Sequence, residues 1–128
     1  MINSTAFDYV NVLTKAADAS YKREAILENN ISNVDTPSYK SKDLNFEGVL
    51  SQELGRCKHQ SLDKKISELD TSKLTANVYT DHSNYSYRMD GNNVDIDTEN
   101  VELASEQIKY EALTSSISSQ FSRMKSVL

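Results

Sequence analysis

The residues of this chain best suited to catalysis are one cysteine and two histidines. Cys57 stands between Arg56 and Lys58, whose charges favour the thiolate, and His59 follows two residues later. A cysteine nucleophile also needs an oriented base, and this short irregular stretch fixes no geometry for one. His82 lies far along the chain from His59, with no partners at a ligand-like spacing. We therefore interpret both histidines as surface residues and the thiol as incidental.

Acidic residues are dense just before the last helical pattern, where they match part of a calcium loop. Asp95, Asp97, Glu99 and Glu106 fall at positions 1, 3, 5 and 12 of that template. Its sixth position is Asn100, where the sharp turn requires glycine, and no helical pattern precedes the loop. The first turns of a helix explain these residues better, because the helix dipole favours carboxylates there. We therefore predict no metal, no cofactor and no catalytic residues.

Composition excludes several classes of function. The chain has 128 residues, 38% of them hydrophobic, and a net charge of −5 without a basic block, which disfavours nucleic-acid binding. Its single cysteine excludes an intrachain disulfide and a cysteine-cluster metal site. Three glycines and one proline argue against a turn-rich β-sandwich and against phosphate-binding loops, so we expect no small-molecule substrate. We also expect no cleaved secretory signal and no membrane-spanning segment.

A long helical pattern opens the chain, with mostly apolar residues recurring at alternating steps of four and three. Its positions are Ala6, Val10, Leu13, Ala17, Ser20, Glu24, Leu27, Ile31 and Val34. Pro37 disfavours helical backbone at Thr36, so we expect the helix to end near residue 34.

A second long helical pattern closes the chain, capped by Asp97 or Thr98. Its positions are Leu103, Gln107, Tyr110, Thr114, Ile117, Phe121, Met124 and Leu128. A neighbouring row is expected to widen this apolar stripe: Val101, Ala104, Ile108 and Ala112. The side chains predicted to form helix–helix contacts in the two patterns are Val10, Leu13, Ala17, Leu27, Ile31, Val34, Ile108, Tyr110, Ile117, Phe121, Met124 and Leu128.

The middle of the chain is more irregular. Phe46, Val49, Leu50 and Leu54 predict a short helix ended by Gly55. Residues 56–77 are read as loop or short helix, and alternation over 85–96 around an Asp-Gly-Asn-Asn turn predicts a β-hairpin. The seven tyrosines form either an interaction face or ordinary strand positions. The expected fold is mainly α: an N-terminal helix and motif (1–40), a variable middle (41–97) and a C-terminal helix (98–128), the two long helices pairing as in a coiled coil.

The end of the first helical pattern resembles the N-terminal motif of bacterial flagellar axial proteins, the rod, hook and hook-associated proteins. The residues that match are Asn29, Asn30, Ile31, Asn33, Thr36, Pro37, Tyr39 and Lys40. Glu28, Ser32 and Ser38 depart from it, the last standing where the family has glycine. A later run is similar to a segment of the family's proximal-rod members: Asp90, Gly91, Asn92, Asn93, Val94 and Asp95.

This resemblance implies a structural subunit of the proximal flagellar rod, built into a polymer that transmits torque. It implies contacts with further copies, with other rod proteins, and with the adaptor FliE and the membrane ring and export gate region. It also implies a place outside the cytoplasmic membrane, reached by flagellar type III export without a cleaved signal. Two alternatives remain open: a soluble helical binding module, such as an export chaperone or adaptor, and a different rod protein of the same family.

Overall fold

The computed structural model describes residues 5–56, 60–82 and 89–128. In chain order, its elements are α1 (Thr5–Ser32), β1 (Lys42–Leu44), α2 (Phe46–Gly55), α3 (Leu62–Glu68), a 3-10 turn (Thr71–Lys73), β2 (Val78–Thr80) and α4 (Ile96–Val127). Two long terminal helices therefore flank a middle of short elements and irregular backbone, which confirms the predicted mainly α fold. Within these residues, no helix is long and apolar enough to cross a membrane.

The two long helices lie antiparallel along one another. Asn30 near the end of α1 contacts Glu99 near the start of α4, whereas Ser20 and Arg23, earlier in α1, contact Glu106. With 28 and 32 residues, the helices are about 42 and 48 Å long. The pair is therefore a hairpin of nearly equal arms, with the middle of the chain packed beside it.

The predicted stripe on α1 is buried or half-buried throughout its described length, from Val10 to Val34. A second buried row on the same helix faces the middle of the chain. There Val12 joins Leu44, Phe46, Ile66 and Leu74 in the hydrophobic core. The first helix is thus covered on two sides, by α4 and by the short elements.

The stripe on α4 differs from the predicted one at every second position. Its buried and half-buried members follow steps of three and four: Leu103, Glu106, Tyr110, Leu113, Ile117, Gln120 and Met124. Gln107, Thr114, Phe121 and Leu128 are exposed instead. The row of Val101, Ala104, Ile108 and Ala112 does not widen this stripe, because all four residues are exposed on the opposite side of the helix.

The short elements begin at side-chain caps. Asn45 accepts a hydrogen bond from the Gly48 amide at the start of α2, and Ser61 does the same for Lys64 at α3. The predicted short helix is confirmed over Phe46–Gly55, and the segment read as loop or short helix contains α3. The last helix begins two residues earlier than expected, because Asp95 rather than Asp97 is its cap.

The antiparallel strand pair forms in a different place from the predicted hairpin. Strands β1 and β2 pair with Lys42 opposite Thr80 and Leu44 opposite Val78. Residues 85–88 of the predicted hairpin lie outside the described residues, and 89–95 form a turn and irregular backbone. Each observed strand has only three residues, too few for an alternating pattern to be recognised.

Ser38 adopts a backbone conformation that normally belongs to glycine. Its φ angle is 62°, and among the described non-glycine residues it alone is positive. The Ser38 amide donates to the Asp90 carbonyl at 2.7 Å, which holds the turn in place. A side chain at such an angle costs roughly 1 kcal/mol, because its Cβ crowds the backbone.

Replacing Ser38 by glycine should therefore stabilise the protein. The exposed hydroxyl makes only a long bond to the Asp90 carbonyl, 3.3 Å, so its loss costs little. We expect Ser38→Gly to raise the midpoint of thermal unfolding by about 3–5 °C, corresponding to about 1 kcal/mol. Gly91→Ala, at a φ of 78°, should lower it. An unchanged or lower midpoint for Ser38→Gly would contradict the strain argument.

Candidate functional site

The two sequence motifs, one after α1 and one before α4, lie directly against each other. Besides the bond from Ser38 to Asp90, the Lys40 ammonium donates to the Gly91 carbonyl at 2.5 Å. The Asn93 amide donates to the Tyr39 carbonyl at 3.3 Å. Segments about fifty residues apart in sequence thus form one polar cluster at the end of the hairpin, here called the motif lock (residues 29–43 and 90–95).

Asn92 joins the end of α1 to the segment that precedes α4. Its side chain is 1% exposed, and its amide nitrogen lies 2.8–2.9 Å from the carbonyl oxygens of Asn33, Val34 and Thr36. Its amide oxygen accepts from the Val94 amide at 2.8 Å. These three carbonyls belong to the turn that follows α1, so the buried amide of Asn92 fixes the path of the chain as it leaves the helix.

Asn30 ties α1 to β1 and α4 and is equally buried, at 1% exposure. Its amide nitrogen donates to the Lys42 carbonyl at 2.7 Å and to the Glu99 carboxylate at 3.1 Å. Its amide oxygen accepts from the Lys42 amide and the Tyr39 hydroxyl, at 3.0 and 2.9 Å. All four bonds that an asparagine side chain readily makes are therefore satisfied.

The remaining motif residues support these two asparagines. Asn93 accepts from the Ser41 amide and donates to the Asp81 carbonyl, which holds the ends of β1 and β2. Asn29 donates to the Tyr39 hydroxyl, and Asn33 accepts from the Thr36 hydroxyl. The other members differ in exposure: Ile31 is half-buried, Val94 is buried, Pro37 is exposed, and Asp95 caps α4.

A second polar cluster lies one to two turns further along the hairpin, centred on Arg23. Its guanidinium contacts Asp43 on β1 at 2.8 Å, and Glu102 and Glu106 on α4 at 2.9 and 2.7 Å. Glu106 is only 2% exposed. The bond to Asp43, followed by those to the two glutamates, raises the pKa of Arg23 despite the opposing effect of burial. One half-buried cation therefore joins three elements.

Glu47 and Lys109 extend this cluster towards α2. The Lys109 ammonium contacts the Glu47 carboxylate at 2.5 Å and the Glu106 carboxylate at 3.4 Å. Burial is the largest single effect on the pKa of Glu47 and raises it, but the hydrogen bond and charge of Lys109, a backbone hydrogen bond and the charge of Arg23 together lower the net pKa. The contact with Lys109 thus stabilises the ionised form of Glu47, and it links α2 to α4.

The described residues hold no cluster of side chains suited to metal binding. Within 5–56, 60–82 and 89–128, no three histidine, cysteine, aspartate or glutamate residues converge as metal ligands would. His82 is exposed, and Cys57 and His59 lie outside the described residues. The chemistry of this site is therefore hydrogen bonding and charge pairing, which hold helices in place.

The predicted helix-contact residues divide into two sets. Those that are buried or half-buried in the hairpin are Val10, Leu13, Ala17, Leu27, Ile31, Val34, Tyr110, Ile117 and Met124. Those that are exposed are Ile108, Phe121 and Leu128. The sequence analysis missed Arg23 and Glu106, because neither residue falls on its alternating steps of four and three. An arginine seven residues before Asn30, on the same side of α1, was the available signal.

The two motifs that close this hairpin of terminal helices are similar to those of the flagellar axial proteins, and they indicate that class. Curated relatives identify the member. Flagellar basal body rod protein FlgB of Bacillus subtilis (strain 168) is 38% identical over 107 residues, covering 83% of this chain and 81% of the relative. The chain belongs to the FlgB family.

More distant relatives extend the match over nearly the whole chain. The FlgB of Buchnera aphidicola subsp. Acyrthosiphon pisum (strain APS) is 31% identical over 122 residues, 92% of each chain. That of Escherichia coli (strain K12) is 28% identical over 121 residues, 89% of this chain and 88% of the relative. No protein-family model matches the chain.

Removing the Asn92 side chain should open the motif lock. Asn92→Ala leaves three carbonyls near the end of α1 without this buried donor, so we expect unfolding to become easier by about 2–3 kcal/mol. Urea denaturation monitored by circular dichroism measures the change. Asn100→Ala, at an exposed position on α4, is the matched control and should leave stability nearly unchanged. Equal effects for both variants would contradict the role given to Asn92.

Glu99 provides a pH-dependent test of the contact with Asn30. Burial raises the pKa of the Glu99 carboxyl above its usual value, although the hydrogen bond from Asn30 opposes this. A carboxyl with a raised pKa in the folded state binds its proton more tightly there. Its ionisation therefore costs stability as the pH rises above about 4.3, the usual value for glutamate.

Glu99→Gln removes that cost, because the amide is neutral at every pH and its oxygen still accepts from Asn30. We expect the variant to be more stable than the parent at pH 7, with the difference shrinking as the pH falls to about 4 and below. Urea denaturation at both pH values measures this. Glu111→Gln, at an exposed position, should show no such trend. A gain that is the same at both pH values would refute the burial argument.

Proposed function

We propose that this protein is a structural subunit of the flagellar basal-body rod, which polymerises through its terminal helices and transmits torque for motility. The single observation that carries the proposal is the match to rod protein FlgB over more than four fifths of the chain. In this proposal the chain is not an enzyme, and its interactions are with protein partners only.

The shape of the hairpin supports a mechanical role. Torque transmission requires that a force on one helix reach the other without sliding. Arg23 resists sliding, because a shift along the axis would separate its charge from Glu102 and Glu106 and leave the buried Glu106 carboxylate with only its longer contact to Lys109, at 3.4 Å. The motif lock holds the same helices at their joined end. The motif lock and the Arg23 cluster therefore hold the two helices together at two positions along the hairpin.

The proposed neighbours are further copies of this chain, other rod proteins, the adaptor FliE and the membrane ring and export gate region. The proposed place is outside the cytoplasmic membrane, reached by flagellar type III export without a cleaved signal. A thin core is compatible with export as an unfolded chain, because the hairpin then gains burial by assembling with neighbours.

The helix pairing can be tested where it is apolar. Ile117 is half-buried between the long helices, whereas its neighbour Ser118 is exposed. In cells lacking their own copy of the gene, we expect Ile117→Asp to abolish motility and rod incorporation, because a charge would enter the helix contact without a partner. Motility plates and immunoblots of purified basal bodies measure both effects.

Ser118→Asp is the matched control, since it places the same charge one residue away on the same helix. We expect it to keep motility and incorporation. Wild-type swimming by Ile117→Asp cells would refute the proposal that pairing of the two helices is required for rod assembly. Failure of the unaltered chain to restore motility, despite its expression, would refute the proposed function itself.

A further inference from the structure

Helix α4 carries two apolar faces on opposite sides. Glu106 lies in the stripe against α1, and Ile108, two residues later, points about 200° away around the helix. The second face consists of Val101, Ala104, Ile108 and Ala112, here called the outer ridge. Val101 and Ile108 are 68% and 69% exposed. A helix apolar on both sides normally lies between two partners, and the described residues supply only one.

A groove with a mainly apolar lining lies on the opposite side of α4 from the outer ridge. It runs between α1, α2 and α4, encloses about 280 Å³, and is lined mainly by apolar side chains. Among these are Ala16, Ala19, Leu44, Phe46, Leu50 and Leu113. Three of them, Ala19, Leu44 and Phe46, also line a second cavity beside it. The groove therefore offers an extended apolar surface that the chain itself does not fill.

The charges beside the two surfaces are also complementary. The charged residues that line the groove and the second cavity are mixed but net positive, with Lys15, Lys22, Arg23 and Lys109 against Asp18, Glu47 and Glu106. Asp97 and Glu111 are exposed on α4 on the same side as the outer ridge. Opposite charges arranged in this way favour contact between a ridge and a groove of the same sequence, and they disfavour contact between two ridges.

We propose that the outer ridge of α4 docks into the groove between α1, α2 and α4 of a second copy of this chain. The inference rests on the proposed function, which it makes specific by naming the surface used for self-assembly. Because ridge and groove lie on opposite sides of one helix, each copy that offers its ridge keeps its groove open. Such a contact between unlike surfaces continues from copy to copy and produces a helical array or ring rather than a closed pair.

Disulfide cross-linking in assembled basal bodies tests this arrangement. All variants carry Cys57→Ser, so that only introduced cysteines react. Cells co-expressing the single variants Ile108→Cys and Ala19→Cys should give covalent dimers after oxidation. A chain carrying both changes should give dimers and higher oligomers. Leu62→Cys replaces an exposed apolar residue on α3, and with Ala19→Cys it should give at least tenfold less cross-linked product.

Three outcomes would overturn the proposal while leaving the proposed function intact, provided that the cells swim. They are the absence of cross-links in the double variant, equally strong cross-linking of Ile108→Cys to itself, and cross-linking of Ile108→Cys only to a different rod protein. If Ile108→Cys itself stops motility, Val101→Cys replaces it, since it lies two turns earlier on the same ridge, and the same results are expected.

Discussion

The register of the two long helices depends on a single half-buried cation. Arg23 on α1 contacts carboxylates on β1 and on α4, one of them almost fully buried. A buried charge without a partner is strongly destabilising, whereas apolar side chains tolerate small shifts. The apolar stripe therefore makes the helices pair, and Arg23 selects one alignment. That alignment brings Asn30 opposite Glu99 and places the two motifs within hydrogen-bonding distance.

Regular spacing predicted α1 correctly because its stripe is mostly apolar and unbroken. On α4 the same method chose the wrong alternate positions, since the true stripe includes Glu106 and Gln120. Polar residues enter a helix contact only when a partner satisfies them, and the partner that Glu106 finds on the facing helix, Arg23, is 83 residues away in sequence. Periodicity within one helix cannot contain that information. The strand pair was missed for a related reason, because its three-residue strands are defined by pairing between distant segments.

The motif residues could be found from resemblance, but their roles could not. Nothing in the sequence states that Asn92 reaches carbonyls at residues 33, 34 and 36, or that Asn30 bonds both backbone groups of Lys42. These contacts require the helices to be aligned first. Ser38 shows the limit of resemblance most clearly: it departs from the motif, and its backbone adopts a positive φ angle all the same. The surrounding hydrogen bonds therefore determine the turn.

Polar contacts also explain how a chain with 38% hydrophobic residues leaves apolar side chains exposed. Within the described part, asparagine amides and charge pairs hold the joined end of the hairpin, where an isolated domain would use apolar packing. Apolar residues such as Val101 and Ile108 are then not needed for the fold and remain on the surface. An exposed apolar row is costly for a solitary molecule and useful for one that assembles. A subunit that polymerises requires this arrangement, in which polar contacts hold its interior and apolar side chains remain on its outer surface.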